Sequence, residues 1–387
     1  MRPPHYTITP TVVRSTARRA LRKALPWQGY GRLVTVDLLL DLLLLAASLL
    51  SSLSAVVKRF RFGFSHETAR KAVASNLPEL GRLTDGLVDA LYLFGSRALR
   101  RRGWVVAIDE HRTPFYGDRS TGGVTGGQKK HGTKYAYGYA TAVLVHRRHR
   151  YTVGLTALTG GEKPHQVVAD LLAQMDARGL RLRGVVLDSG FDSGETLLLL
   201  QQRKLSYTVP LRRKGDSHNR RNAVWLLEVG TVTTVEWKTD VTNRPVSTEA
   251  VVMRRPKEKE KKVYCFGGWD AGRARSEARR ASLAKRWYRK RFGIETSYRQ
   301  MNEAKAMTTK KDVRYRLLLI GLALLLRQVW VWLTWQVARD GGLRPTQWVR
   351  ELPMARLVEW LAEFLEGKYK EEKEIRLESP LLTLAVA

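Results

Sequence analysis

The sequence predicts an α/β protein in which a mixed β-sheet, covered by helices, has helical regions before and after it. Three observations carry this. Between residues 104 and 210, short apolar runs rich in Val, Leu and Tyr alternate with segments of helical periodicity. Between 213 and 270, β-branched residues alternate with polar ones, and polar turns separate the runs. Outside these limits lie Leu-rich stretches, at 33–57 and 317–337. Of the 387 residues, 44% are hydrophobic and 27% charged. Those proportions exclude a largely disordered chain, and the length allows two or three domains.

In chain order, residues 1–102 read as a helical N-terminal DNA-binding region. Arg14–Leu25 is a basic segment, Leu33–Val57 an apolar and buried one, and Asp85–Arg100 a third with helical periodicity. Between them, Ser65 is placed to cap a helix that Pro78 stops. That helix suits the second helix of a helix-turn-helix, with Thr68, Arg70 and Lys71 able to reach a groove. An ordinary amphipathic surface helix has the same pattern. Residues 103–212 open with the strand Trp104–Ile108, which ends in Asp109. The Gly-rich loop 117–132 follows, carrying Lys129, Lys130 and His131 toward DNA. It lacks the spacing of a nucleotide-phosphate cradle. Tyr135–His146 and Tyr151–Leu158 are strands, and 164–178 is a helix with Pro164 at its start and Gly179 past its end. Gly184–Leu187 is a strand ending in Asp188; Ser193–Arg203 is a helix capped by Asp192; Tyr207–Pro210 is a further strand. Three strands, then helix, strand, helix, strand is the order of an RNase H-like sheet. Residues 213–270 form a β insertion with strands over 223–236, 247–253 and 262–266. Residues 271–340 return to helix and complete the core, and 341–387 form a C-terminal helical tail.

Lys and Arg number 68 against 36 Asp and Glu, a formal net charge of +32. Such an excess is beyond what solubility needs and points to a polyanionic partner, nucleic acid or an acidic membrane. The single cysteine, Cys265, excludes a disulfide framework and a cysteine zinc site, and suits a reducing compartment. The first residues show no signal-peptide pattern. Of the two long apolar runs, the first contains Asp37 and Asp41 and the second has Arg327 and Gln328 at its middle. A mid-membrane arginine is costly, so both read as buried core helices and no membrane partner is expected.

Asp109 and Asp188, each at the end of an apolar strand, would face one crevice if their strands are neighbours. A third carboxylate, Glu295, falls in a basic helix that begins near Ser282 and carries Tyr288, Arg289, Lys290, Arg291 and Arg299. Oxygen ligands of this kind suit Mg²⁺ or Mn²⁺, and surrounding lysines and arginines suit a DNA backbone. Taken singly, each residue has a plainer reading: a strand-end Asp is often a turn or cap, and Glu295 is placed to pair with Arg291 or Arg299. His111 is either a ligand, a substrate contact or a loop residue with neither role, and Glu110 is a supporting or solvated group. Trp330, Trp332 and Trp335 read as core, with Trp225 and Trp237 the better candidates to touch DNA.

The segment Tyr288-Arg289-Lys290-Arg291-Phe292-Gly293-Ile294-Glu295 resembles the Tyr-x2-Arg-x3-Glu signature of DDE transposases from bacterial and archaeal insertion sequences, the insertion sequence 4 superfamily most closely. Ile108-Asp109 and Asp188-Ser189-Gly190-Phe191 resemble the blocks around that family's two aspartates, and the β insertion matches too. The resemblance spans about 104–340. It implies that Asp109, Asp188 and Glu295 form a catalytic, metal-binding triad and that Tyr288 and Arg291 contact the transposon end. It further implies terminal inverted repeats and target DNA as double-stranded partners, a homodimer on paired ends, and a prokaryotic cytoplasm with its nucleoid. The family's lysine seven residues after the Glu is Asn302 here, and either Lys305 one turn later or another basic residue takes its place at the phosphate. The alternative is a catalytically inactive DNA-binding relative.

Overall fold

The computed structural model describes residues 8–94, 99, 103–130, 132–145, 150–213, 220–240, 243–254, 260–269, 276–340 and 352–370. The N-terminal region builds five helices, α1 (Pro10–Ala24), α2 (Val36–Ser48), α3 (Leu53–Arg59), α4 (His66–Asn76) and α5 (Leu80–Tyr92). The apolar run 33–57 is two helices rather than one. Leu50 takes a left-handed φ of 49° and the Ser52 side chain accepts from the Ala55 N–H, so a new helix starts there at a bend of 103°. Ser65 caps α4 as expected, accepting from the Thr68 N–H at 3.1 Å, and the helix ends two residues before Pro78.

The sheet strands are β1 (Trp104–Pro114), β2 (Val124–Lys130), β3 (Thr133–Leu144), β4 (Thr152–Leu158), β5 (Leu182–Leu187), β6 (Ser206–Pro210), β7 (Val232–Lys238), β8 (Pro245–Arg254) and β9 (Lys261–Gly267). Helix α6 (Pro164–Ala177) links β4 to β5, and α7 (Gly194–Gln202) links β5 to β6. Four further helices follow, α8 (Glu277–Lys290), α9 (Phe292–Asn302), α10 (Val313–Asp340) and α11 (Met354–Tyr369). The sheet order is β2-β3-β1-β5-β6-β9-β8-β7, with β4 also on β3. Its centre, β4-β3-β1-β5-β6, mixes antiparallel and parallel pairs and is the RNase H-like arrangement.

Three segments depart from the sequence reading. The Gly-rich loop contains β2, which pairs antiparallel with β3 because β4 leaves that end of β3 uncovered. The expected strand 223–236 begins as a 3-10 turn over Arg220–Leu226, and backbone pairing with β8 starts at Gly230 and Thr231 and continues through β7. The β insertion does not stand apart from the core. Strand β9 pairs antiparallel with β6 from Tyr207↔Gly267 to Pro210↔Tyr264, so β9, β8 and β7 continue the central sheet.

The N- and C-terminal helices share one core. Helix α10 packs on α5, α1 and α2, and α11 packs on α1 and α2. The α1–α5 crossing depends on Gly86, where a Cβ would stand 2.3 Å from the Ala24 carbonyl oxygen. Arg327 and Gln328, the polar pair inside the apolar helix α10, are 1% and 0% exposed. Arg327 donates to the Gln300 side chain (3.1 Å) and the Arg150 carbonyl (2.8 Å). Gln328 accepts from the Thr152 N–H and donates to the Leu91 carbonyl, both at 3.1 Å. An 18-residue window of α10 has the length and hydropathy of a membrane span, yet 94% of it is buried inside the protein. Its two central polar residues tie α9, β4 and α5 together.

Candidate active site

Strand register brings the two aspartates together. Parallel pairing of β1 with β5 runs to Ile108↔Leu187, so Asp109 and Asp188 occupy the next position on neighbouring strands. Side chains alternate across a sheet, so Asp109 shares its face with Val105, and Asp188 shares its face with Val186. Val105 and Val186 lie in the small core beneath α8, together with Trp269, Trp287 and Tyr288. Both carboxylates therefore point to the face over which α8 and α9 run. Asp109 is mid-strand rather than terminal, because β3 goes on pairing with β1 as far as Pro114.

Helices α8 and α9 meet at Arg291, which keeps helical backbone angles. Glu295 stands in the first turn of α9. The Arg291 guanidinium lies where the three carboxylates converge, 3.1 Å from Asp109, 3.6 Å from Asp188 and 3.0 Å from Glu295. Exposure grades outward, from 14% for the Asp109 side chain to 37% for Asp188 and 48% for Glu295. Burial pushes the Asp109 carboxyl up to about 7; Asp188 and Glu295 push the same way, while Arg291 and the Glu110 N–H oppose them. One guanidinium leaves three carboxylates short of positive charge.

That deficit, and a donor set of oxygens alone, suit a hard divalent cation. Among the described residues, no three acidic, histidine or cysteine side chains are arranged to hold a metal together. The guanidinium occupies their meeting point.

Tyr298, one turn after Glu295, fixes α9 to the sheet. Its hydroxyl donates to the Asp109 carbonyl oxygen at 3.0 Å and lies 2.8 Å from the Thr141 hydroxyl, which stands opposite Asp109 on β3. His111 packs between Tyr139 and Tyr298, at ring distances of 5.0 and 4.8 Å. The sequence offered no signal for this role of Tyr298 beyond its helical spacing from Glu295. Asp192 does not cap α7. The Ser193 side chain does that, while Asp192 accepts the Arg212 N–H at 2.9 Å and ties the β5 loop to the β6 loop. Glu110 pairs with Arg112 at 3.1 Å.

The remaining sequence-derived residues distribute unevenly. On α9, Phe292, Glu295, Arg299 and Asn302 are exposed together, so the position of the family lysine is on the same face as Glu295. Lys305 is tucked inward, donating to the Thr113 hydroxyl at 3.1 Å, and burial, then Arg316, hold its pKa below the usual lysine value. Lys129 is exposed on β2; the side chain of Lys130 and all of His131 lie outside the described residues. Arg70 and Lys71 are exposed on α4, each near Glu67. Trp237 is buried at 5% and belongs to the core, whereas Trp225 lines a groove.

Two open clefts flank Asp188. One, of about 710 Å³, is lined by Asp109, His111, Arg112, Ser189 and Arg212. The other, of about 690 Å³, is lined by Arg212, Arg213, Trp225, Lys261, Tyr288 and Arg291. A larger cavity of about 840 Å³ between α7 and β7 carries Glu195, Glu236 and Asp240, the wrong charge for DNA and away from the three carboxylates.

Residues 100–326, more than half of the chain, match the family described as Transposase DDE domain. The chain is a DDE-type transposase. Enzymes of this family use divalent metals. The fold is similar to that in the cryo-EM structure of a piggyBac transposase synaptic complex with hairpin DNA, at a TM-score of 0.56 and 14% identity. That likeness covers 98% of this chain and 84% of the other and concerns the fold alone. No curated protein sequence matches the transposase.

Proposed function

We propose that this transposase, of the insertion sequence 4 superfamily type, cuts the ends of its own element and joins them to target DNA, using Asp109, Asp188 and Glu295 as the carboxylates that share Mg²⁺ or Mn²⁺. One observation carries the reading: three carboxylates from two strands and a helix converge on a single positive group, Arg291, which also lines a cleft bearing Arg212, Arg213, Lys261 and Lys262. When bound, the ions supply an activated water or 3′-hydroxyl and stabilise the leaving oxygen of the phosphodiester. The chain's part is to hold the carboxylates in register through the β1–β5 pairing and the Tyr298 anchor. It also seats the DNA backbone against Arg212, Arg213 and Arg299. Helix α8 adds Arg279, Lys285, Arg286 and Arg289, exposed side chains that face outward along it. In this reading the α4 residues Arg70 and Lys71, with Lys129, contribute to binding the terminal inverted repeats, synapsis joins two copies, and the protein works on the nucleoid.

The test is cleavage of a labelled duplex carrying the element's end, alone and with a second end present, with Mg²⁺ or Mn²⁺, comparing the wild type with Asp188→Ala. Metal-dependent cutting by the wild type, lost in the variant while binding persists, is the expected result. Binding with no cutting by the wild type on single or paired ends would favour an inactive relative, and cutting that survives in the variant would refute the carboxylate assignment.

A further inference from the structure

Arg291 is 7% exposed and bonds to Asp109 and Glu295 while lying 3.6 Å from Asp188, yet its Nε has no hydrogen-bond partner among the described residues. The same side chain lines the cleft that also holds Arg212, Arg213 and Lys261. Three acidic groups thus hold one long side chain at the α8–α9 junction, beside a cleft whose arginines and lysines attract phosphate. A guanidinium is a planar fork of donors that fits a carboxylate or a phosphate equally well. It cannot share the meeting point of three carboxylates with a dication, because like charges at that distance repel.

Resting on the reading that Asp109, Asp188 and Glu295 hold the divalent ions, we propose that Arg291 is an exchangeable counter-cation. In the free protein its guanidinium holds the three carboxylates; a phosphodiester of the element's end, seated in the adjoining cleft, draws it away and opens the site to metal. Metal and end DNA therefore bind cooperatively, and the coupling is reciprocal. The free transposase carries its catalytic carboxylates closed by an internal cation, which limits metal-dependent cutting away from a bound end. Tyr288 and Phe292, with the guanidinium 5.5 and 5.9 Å from their ring centroids, offer an aromatic surface along which it moves.

The test measures Mn²⁺ binding by electron paramagnetic resonance, independently of cleavage, on the full chain with and without an end duplex. The duplex's own Mn²⁺ uptake is subtracted. Proteins compared are the wild type, Arg291→Gln, Arg291→Lys and Asp188→Asn. The wild type is expected to bind Mn²⁺ weakly alone and about tenfold more tightly with the duplex. Arg291→Gln without DNA should bind at least about tenfold more tightly than the wild type, with little further gain from the duplex, and Arg291→Lys should fall between. Mn²⁺ binding by the wild type that is indifferent to the duplex overturns the proposal, and this arm needs no variant to fold. So does equal or weaker binding in a folded Arg291→Gln, which would make Arg291 an aid to the site rather than its occupant. Failure of the underlying triad reading looks different: no Mn²⁺ bound under any condition, or binding unchanged by Asp188→Asn.

Discussion

Replacing Tyr298 by Phe deletes one buried hydroxyl and nothing else of the ring that packs on His111 and Tyr139. Because the hydroxyl donates to the Asp109 carbonyl, the proton between it and Thr141 belongs to Thr141. Two hydrogen bonds go, at about 1 kcal/mol each, and the Thr141 hydroxyl, 0% exposed, is left without its acceptor at about 1 kcal/mol more. The expected loss is about 2–4 kcal/mol in urea unfolding. Thr141→Val removes the stranded hydroxyl, so the double variant should be less destabilised than the sum of the two singles by at least about 1 kcal/mol. Since Glu295 sits one turn before Tyr298, cleavage by Tyr298→Phe should fall further than duplex binding. Strict additivity of the two substitutions, within about 0.5 kcal/mol, would show that the hydroxyls are not coupled and that the anchor is misread.

Other consequences concern the scaffold and the surface. Asp41 is fully buried and bonded by Arg14, Tyr369 and Lys368, linking α2 to α1 and α11. Burial would raise its pKa, but those three bonds overcome burial and lower it. A lowered carboxylate pKa stabilises the fold at neutral pH, and that contribution disappears as pH falls below about 4. Asp41→Asn should therefore lose about 3 kcal/mol at pH 7 and show a flatter stability profile between about pH 5 and 3, read by chemical unfolding across that range. Gly184→Ala would set a Cβ 2.6 Å from both the Ser206 carbonyl oxygen and the Trp269 ring, which stacks on Trp287 of α8. A destabilisation of about 1–3 kcal/mol should appear as a lower melting temperature. Arg286→Ala with Arg289→Ala should weaken duplex binding at all sequences and reduce the slope of log affinity against log salt by about 0.9 for each lost phosphate contact. An unchanged slope would remove α8 from the DNA interface.

Much of the core was legible because its signals are local. Strands β3, β4, β5, β6, β8 and β9 and helices α4, α6 and α7 follow from alternation, capping serines and punctuating Gly and Pro, which act within a few residues. Helical spacing also made the Arg291–Glu295 pair legible, since i and i+4 neighbours meet on any helix, whereas the segment 288–295 pointed to Glu295 as a site residue only through its family resemblance. Asp192 and Trp237 were misjudged because their roles depend on partners from distant segments. The Asp192 carboxylate found a backbone N–H twenty residues away. The start of the β insertion was misjudged because 220–226 closes into a 3-10 turn, and backbone pairing with β8 begins only at Gly230 and Thr231, opposite Val252.

The sequence by itself determined the α/β class, the cationic composition and the buried character of the apolar helices, each set by composition or short-range periodicity, while Asp109, Asp188 and Glu295 were singled out by a family resemblance. Tertiary structure alone decided that β9 closes on β6 to make one sheet of core and insertion, that Arg327 and Gln328 brace α10 from within, and that Arg291 sits among the carboxylates. These are outcomes of register and of helix placement. A one-residue slip between β1 and β5 would send Asp109 and Asp188 to opposite faces, and no local pattern encodes which of two strands 80 residues apart will set that register.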